Sequence, residues 1–274
     1  MVKIGFVKLG NLGISQGIEL LLDEIAQREG IEVRVFGSGA KMSPSEAEAS
    51  VELKNWGPDF VVIVSPNASA PGPTKARELW KDVPTVVISD GPTKKDDRKA
   101  LEEAGFGYII LPVDPLIGAK REFLDATEMI LFNSDAQKVL ANIGASRLVK
   151  QEIDKLIDQV NEGKKELELP HILATPEKCV ERMNFSNPYA KAKAIAAGHI
   201  ASKVAEINFK ACFILKDVAD IALTAAAGHE ALRVAAKLAD EARELEKSGD
   251  TIYREPHAKS GELLKKVKLF EKPQ

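Results

Sequence analysis

Five short segments of this 274-residue chain concentrate glycine, proline, serine and asparagine. They are Gly10-Asn11-Leu12-Gly13, Gly37-Ser38-Gly39-Ala40-Lys41, residues 65–73 (SPNASAPGP), Ser89-Asp90-Gly91-Pro92 and Pro112-Val113-Asp114-Pro115. Small side chains leave backbone amides accessible, and glycine tolerates the turns that aim several N–H groups at one anion. Each segment alone reads equally well as a tight turn between packed elements. Five on one edge of a fold point to a binding cleft. Lys41, Lys75, Arg77, Lys120 and Arg121 lie in or near these segments. They suit phosphate or carboxylate pairing as well as surface solvation.

Side chains that perform acid–base or nucleophilic work are scarce. The four histidines, His171, His199, His229 and His257, show no zinc spacing. His199 and His229 fall on alanine-rich helical stretches, where a packed histidine is the plainer reading, and His229-Glu230 is the one candidate acid/base pair. No G-x-S-x-G elbow or Walker loop is present. Cys179 and Cys212 lack the local signature of a nucleophile and read as buried structural residues. An enzyme built this way leaves the chemistry to its cofactor and substrate.

The elements that must hold these loops follow from periodicity. Near-continuous β-branched runs at 2–9, 31–36, 59–65, 84–89 and 107–111 read as strands covered on both faces, with helices between them. Helix starts are signposted by Ser43-Pro44-Ser45-Glu46, by Thr93 with Asp96, and by Asp114-Pro115, Thr175-Pro176 and Asn187-Pro188. The expected fold class is α/β: a parallel sheet of Rossmann-like type with helices on both faces, plus a C-terminal helical segment. Helical spacing runs from Phe123 through Ile130 and Leu131 to Ile157. A polar linker or exposed turn occupies 161–169, and an alanine-rich helical stretch spans 189–245 with a break near 208–213. The pairs Asp240/Arg243 and Glu244/Lys247 lace the last helix, which stops at Ser248-Gly249; a short edge strand is expected at 251–254. The domain reading is an α/β domain that binds cofactor and substrate over 1–115, an oligomerising helical segment over 116–250, and a tail over 251–274.

Composition narrows the class. A net charge of −3, with no long basic block outside Lys265, Lys266 and Lys268, argues against nucleic-acid binding. No stretch approaches the roughly 20 apolar residues of a membrane span. Two isolated cysteines and an N-terminus without signal-peptide character make the cytoplasm the expected location.

The first loop departs from the dinucleotide fingerprint: a G-x-G-x-x-G frame over Gly10 and Gly13 places Lys8 where the first glycine belongs. The second strand ends in Gly37-Ser38-Gly39 rather than in the acid that grips a ribose. A nicotinamide-linked Rossmann dehydrogenase is thus the weaker enzyme reading. A flavodoxin-like ligand-binding module lacks both the acidic cluster of a receiver and a place for the long helical half.

Seven segments together carry a resemblance: KIGFVKLGNLG at 3–13, VFGSGAKM at 35–42, NASAPGPTKARE at 67–78, GAKREFLD at 118–125, NPYAKAKA at 187–194, ADEARELEKSGD at 239–250 and REPHA at 254–258. They resemble, in order and over essentially the whole chain, the coenzyme F420-dependent methylenetetrahydromethanopterin dehydrogenases of archaea. The resemblance implies reversible hydride transfer between methylene-tetrahydromethanopterin and coenzyme F420, giving the methenyl form, in archaeal one-carbon metabolism and methanogenesis. It also implies a homohexamer built as a trimer of dimers. Two nitrogens flank the reacting carbon and expel the hydride with their own lone pairs, so no side-chain base and no metal is expected. By loop position, the cofactor is assigned to Gly10, Asn11, Leu12, Gly13, Ser38, Gly39, Pro66, Asn67, Asp90 and Gly91. The pterin substrate is assigned to Lys41, Lys120, Arg121, His229 and Glu230.

Overall fold

Each of the five anticipated strands forms, within a residue or two of its expected bounds. The computed structural model describes residues 1–274. Its strands are β1 (Val2–Lys8), β2 (Ile31–Gly37), β3 (Phe60–Val64), β4 (Thr85–Asp90), β5 (Gly107–Leu111) and a sixth, β6 (His171–Leu173). All pair in parallel, in the order β2-β1-β3-β4-β5-β6. β3, β4 and β5 are buried at every position, as unbroken apolar runs require when both faces are covered. β6 has only three residues and follows a polar stretch, so it carries too little pattern to be read from sequence.

Register assigns the helices to faces. The row Phe36, Val7, Ile63, Val87, Tyr108 and His171 crosses all six strands. On this face α2 (Pro44–Ala49) and α3 (Pro71–Trp80) pack through Ala47, Ala76 and the fully buried Trp80. α4 (Lys95–Glu103) packs there through Leu101. The other face carries Val62, Val86, Ile88 and Ile109, which meet Ile153 and Leu156 of α6 (Ala145–Asn161). α1 (Gly13–Ala26) buries Ile14, Ile18, Leu22 and Ile25. Beyond its end, Arg28 forms a buried ion pair with Asp154 of α6 at 2.9 Å.

Contacts divide the chain into two units, Met1–Leu111 with Val149–Leu173, and Pro112–Leu148 with Ala174–Gln274. The second unit is helical: α5 (Ala126–Asn142), the start of α6, α7 (Pro176–Glu181), α8 (Pro188–Phe209), a π-helical turn (Lys210–Ile214) and α9 (Val218–Ser248). α8 and α9 bury Ala190, Ala194, Ala197 and Ala201 and Ala225, Ala235, Ala239 and Ala242. Small side chains let the two axes approach closely. Gly144 turns the chain between α5 and α6 at φ +94°, with Cys179 O only 2.3 Å from where a Cβ would stand.

Several local expectations hold. Ser43 caps α2 with Glu46 returning to its N–H at 3.0 Å, Thr175 and Asn187 cap α7 and α8, and α9 ends at Ser248 before Gly249. The π-turn overlaps the anticipated break and runs one residue past it. Others are corrected. Asp114-Pro115 starts no helix: Asp114 is wholly buried, and Asp125 caps α5 instead by accepting from Glu128 N–H at 2.8 Å. α4 is capped one residue later than Thr93/Asp96 implied, with Asp97 accepting from Lys94 N–H at 2.8 Å. Thr93 is drawn inward to Ser89 at 3.0 Å. Asp240 pairs with Lys138 at 3.4 Å rather than with Arg243, whereas Glu244–Lys247 forms at 2.5 Å. Ile130 and Leu131 lie exposed on α5. The tail contributes isolated bridges, Arg254 with Lys266 and His257 with Leu263, in place of an edge strand.

Candidate functional site

Strand order locates the cleft of the first unit. The chain leaves β1 through α1 toward β2 on one edge, and leaves β3 through α3 toward β4 on the other side of β1. Loops diverging at the carboxyl ends of two adjacent strands open the crevice where ligands bind in such sheets. Here those loops are 10–13 and 65–73. They touch at their base: Gly10 has φ +90°, and a Cβ there would stand 3.0 Å from Pro66 Cδ and 3.1 Å from Met42 Sδ. Only glycine gives the turn both its dihedral and its clearance.

Neighbouring loops are tied to the same edge. Ser38 N–H donates to Lys8 O at 3.2 Å, and the Ser38 hydroxyl lies within 3.0 Å of Lys8 O and 2.6 Å of Lys41 O. Gly39 turns at φ +63° and Lys41 projects exposed. Asn67 Oδ1 accepts from Ser69 N–H at 3.0 Å, and Ser89 Oγ accepts from Ala68 N–H at 3.1 Å, joining the third and fourth loops. Asp90 is fully buried; Gly91 beside it is exposed, with open space where a Cβ would go.

Electrostatics at this edge favour an anion. α1 begins at Gly13 behind Leu12, with no side-chain cap and no acid in its first turn, and α3 begins the same way behind Ala70. α4 carries Asp96 and Asp97 in its first turn. α1 and α3 thus differ from α4 in placing no acid of their own at the positive end of the helix. Lys8, the residue that breaks the dinucleotide fingerprint, supplies a half-buried cation at the end of β1. Its position two residues before Gly10 was the available signal. Ser65 Oγ, buried at the end of β3, has no hydrogen-bond partner. Glycine cradle, uncapped helix starts, cation and orphan hydroxyl suit an anionic group such as a phosphate.

Other candidate cations behave differently. The Arg77 guanidinium donates to Ala68 O and, at 3.2 Å, to Thr74 Oγ1, and burial lowers its pKa. It braces the 65–73 loop. Lys75 lies 3.6 Å from Glu78.

The second unit holds Lys120, Arg121, His229 and Glu230. Lys120 is half-buried and Arg121 exposed, on the segment between β5 and α5. His229 is 7% exposed, set edge-on to Phe123 (4.7 Å between centroids) and tilted against Phe132 (4.4 Å). Its Nε2 accepts from Gly118 N–H at 3.3 Å, which places the proton on Nδ1, 3.8 Å from Glu128 Oε2. Glu230 turns outward to Arg233 at 3.4 Å. His229 lines a cavity of about 450 Å³ with Phe123, Glu128, Phe132 and Arg233. Elsewhere, His199 pairs with Glu177 at 2.8 Å on the surface, and burial pushes the Cys179 thiol up to about 12. No group of three His, Cys, Asp or Glu residues could hold a metal ion.

A model of the family described as methylene-5,6,7,8-tetrahydromethanopterin dehydrogenase matches residues 2–274. This chain belongs to that family. It is 66% identical to the F420-dependent methylenetetrahydromethanopterin dehydrogenase of Methanosarcina acetivorans, over 100% of this chain and 99% of the relative. To that of Archaeoglobus fulgidus it is 55% identical, with both chains covered completely. A solved F420 dependent methylene-tetrahydromethanopterin dehydrogenase, in complex with methylene-tetrahydromethanopterin and coenzyme F420, superposes with a TM-score of 0.94 at 44% identity, covering 100% of both chains.

Within this dehydrogenase fold, His229 has a measurable signature. Burial holds its pKa down at about 4, against an ordinary 6.5. Between those values the unfolded chain binds a proton that the folded chain does not. The corresponding stability is fully present above about pH 6.5 and is lost as pH falls toward 4. Urea unfolding at pH 7 and pH 5 is expected to show this loss, and His229→Gln to reduce it. An equal pH slope in the variant would remove His229 as its source.

Proposed function

We infer that this chain is an F420-dependent methylenetetrahydromethanopterin dehydrogenase, which reversibly transfers a hydride between methylene-tetrahydromethanopterin and coenzyme F420. The observation that carries the reading is the full-length match, at 44% identity, to a dehydrogenase solved with both molecules bound. When bound, coenzyme F420 supplies a deazaflavin ring that accepts the hydride at C5. The pterin nitrogens drive the hydride out, so the protein need not remove a proton in that step. Its residues bind and orient two rings at reacting distance and favour the positive charge that develops on the substrate.

The crevice at the ends of β1 and β3 takes the cofactor, through Gly10, Asn11, Leu12, Gly13, Ser38, Gly39, Pro66, Asn67, Asp90 and Gly91. The amide-rich starts of α1 and α3 face its anionic part. Lys41, Lys120, Arg121, His229 and Glu230 serve the pterin substrate. Lys120 and Arg121 pair with its anionic groups, and His229 shapes an aromatic wall with Phe123 and Phe132. The enzyme works in the cytoplasm as a homohexamer, a trimer of dimers. The exposed Phe209, Phe213, Ile214, Val218 and Leu223 of the second unit supply apolar surface for subunit contacts. No helix is long and apolar enough to cross a membrane.

The decisive assay mixes purified protein, methylene-tetrahydromethanopterin and oxidised F420, beside NAD and NADP controls. Substrate-dependent loss of the oxidised deazaflavin absorbance, absent with nicotinamides, is the expected result. Turnover with a nicotinamide alone would overturn the reading. Gly13→Val places an isopropyl group at the buried start of α1 and is expected to weaken F420 binding at least tenfold in folded protein. Unchanged kinetics would remove the 10–13 turn from the site. Light scattering should give a mass near six times 29.7 kDa.

A further inference from the structure

Three consecutive residues of the loop between β5 and α5 are each held by a different side chain. Asn208, wholly buried on α8, donates from Nδ2 to Leu116 O at 2.6 Å. Cys212, on the π-helical turn, places its thiol 3.8 Å from Ile117 O. His229, on α9, accepts the Gly118 N–H at 3.3 Å. Beyond these contacts the loop winds tightly: Lys120 N–H donates to Gly118 O at 2.9 Å, and Leu124 N–H to Lys120 O at 2.7 Å. Lys120 and Arg121 therefore extend directly from a segment whose preceding backbone groups are pinned one by one.

Packing around the pins is equally specific. A Cβ on Gly228 would stand 2.1 Å from Asn208 Oδ1, and one on Gly118 would stand 3.2 Å from both Asn208 Oδ1 and His229 Nε2. Asn208 Oδ1 has no hydrogen-bond donor; it faces the hydrogens that two glycines keep in place of side chains. An unsatisfied buried oxygen costs stability and needs a compensating reason. A π-turn adds a residue to a helical turn and redirects the chain beyond it. Here it brings Cys212 onto the loop beside Asn208.

We propose that Asn208, Cys212 and His229 form a three-point clamp that positions the 116–121 loop, and with it Lys120 and Arg121, for an anionic group of the pterin substrate. The proposal rests on the reading that this loop meets the substrate. Asn208 and Cys212 are positioning residues that act on the substrate only through the loop; His229 adds this grip to its place in the aromatic wall. A firm backbone spares the two cations the entropy of being ordered when substrate arrives.

The test uses the full-length enzyme and two readouts. Asn208→Leu keeps the side-chain size without the donor; His229→Phe keeps the ring without the acceptor; His229→Gln restores an acceptor. In Asn208→Leu and His229→Phe, hydrogen exchange at Gly118, Ala119 and Lys120 should rise at least tenfold. KM for methylene-tetrahydromethanopterin should rise about tenfold with kcat within about threefold. His229→Gln should keep exchange at these three amides within about threefold of wild type. Lys120→Ala should add little in the Asn208→Leu background, whereas a merely structural Asn208 gives additive effects. Wild-type exchange across 118–120 in folded Asn208→Leu or His229→Phe overturns the clamp itself. Raised exchange with additive kinetics, or a Lys120→Ala/Arg121→Ala variant with unchanged KM, overturns its link to substrate and the substrate reading of the loop. If Asn208→Leu does not fold, His229→Phe against His229→Gln carries the exchange readout and Lys120→Ala/Arg121→Ala the kinetic one.

Discussion

Gly72→Ala is expected to cost about 3 kcal/mol or more of stability and to raise KM. A Cβ at this position, in the first turn of α3, would stand 2.1 Å from Met42 O, 2.6 Å from Met42 C and 2.8 Å from Ser43 O. All three are backbone atoms, so no rotamer change relieves the clash. Either α3 or the segment after Lys41 must move. Both border the crevice: α3 through its uncapped start, the segment through Ser38, Gly39 and Lys41. Gly91→Ala is the matched control, because a Cβ there meets nothing within 4 Å, and it should stay within about 0.5 kcal/mol. The denaturant midpoints of the two variants, and the KM of Gly72→Ala against wild type, decide the matter. A Gly72→Ala protein as stable as Gly91→Ala would show that this close approach is not obligatory.

Asp154→Ala is expected to cost about 3–5 kcal/mol, the range for breaking a buried ion pair. Asp154 Oδ1 accepts from Arg28 Nη2 at 2.9 Å and its Oδ2 from Lys150 Nζ at 3.0 Å, with all three side chains no more than 11% exposed. Removing the carboxylate takes an ion-pair partner from two buried cations. Burial also shields the cluster from salt, so the loss should persist at high ionic strength. Replacing all three together, as Arg28→Met, Lys150→Met and Asp154→Leu, should recover most of it, because apolar packing substitutes for a buried ion network at little net cost. Urea unfolding of the single and triple variants reads both. An Asp154→Ala midpoint near wild type would mean the cations find water instead.

The two variants probe features of different legibility. Nothing near Asp154 in sequence pairs it with Arg28, which lies 126 residues away. Only the return of α6 onto the sheet joins them. By contrast, the caps at Ser43, Thr175 and Asn187 could be read locally, because a cap acts within three residues of itself. The Asp114 cap failed for a tertiary reason: a buried acid followed by proline resembles a helix start, but this segment continues into the loop held from α8, the π-turn and α9. Asp240 likewise had a partner in reach on its own helix and found Lys138 on α5 instead.

The candidate site divides the same way. Gly10, Gly13, Ser38, Gly39, Pro66 and Asn67 were legible as loop residues after strands, and parallel strand order brings such loops to one edge. Lys8 was visible only as a defect in a fingerprint. Its value as a cation at the switch point appears once β1 stands between β2 and β3. His229 and Glu230, adjacent in sequence, separate into a buried ring and a solvated carboxylate, because neighbouring helix positions lie about 100° apart around the axis.

By itself the sequence determined the α/β class, five of the six strands, the alanine-rich helical half and, through seven matching segments, the family. Those properties are periodic or local, or reside in residue identity. Tertiary structure alone decided the short sixth strand, the interleaving of α6 between two units, the buried Arg28–Asp154–Lys150 cluster and the grip of Asn208, Cys212 and His229 on one loop. Each of these depends on contacts between residues far apart in the chain, which close packing selects and no local pattern encodes.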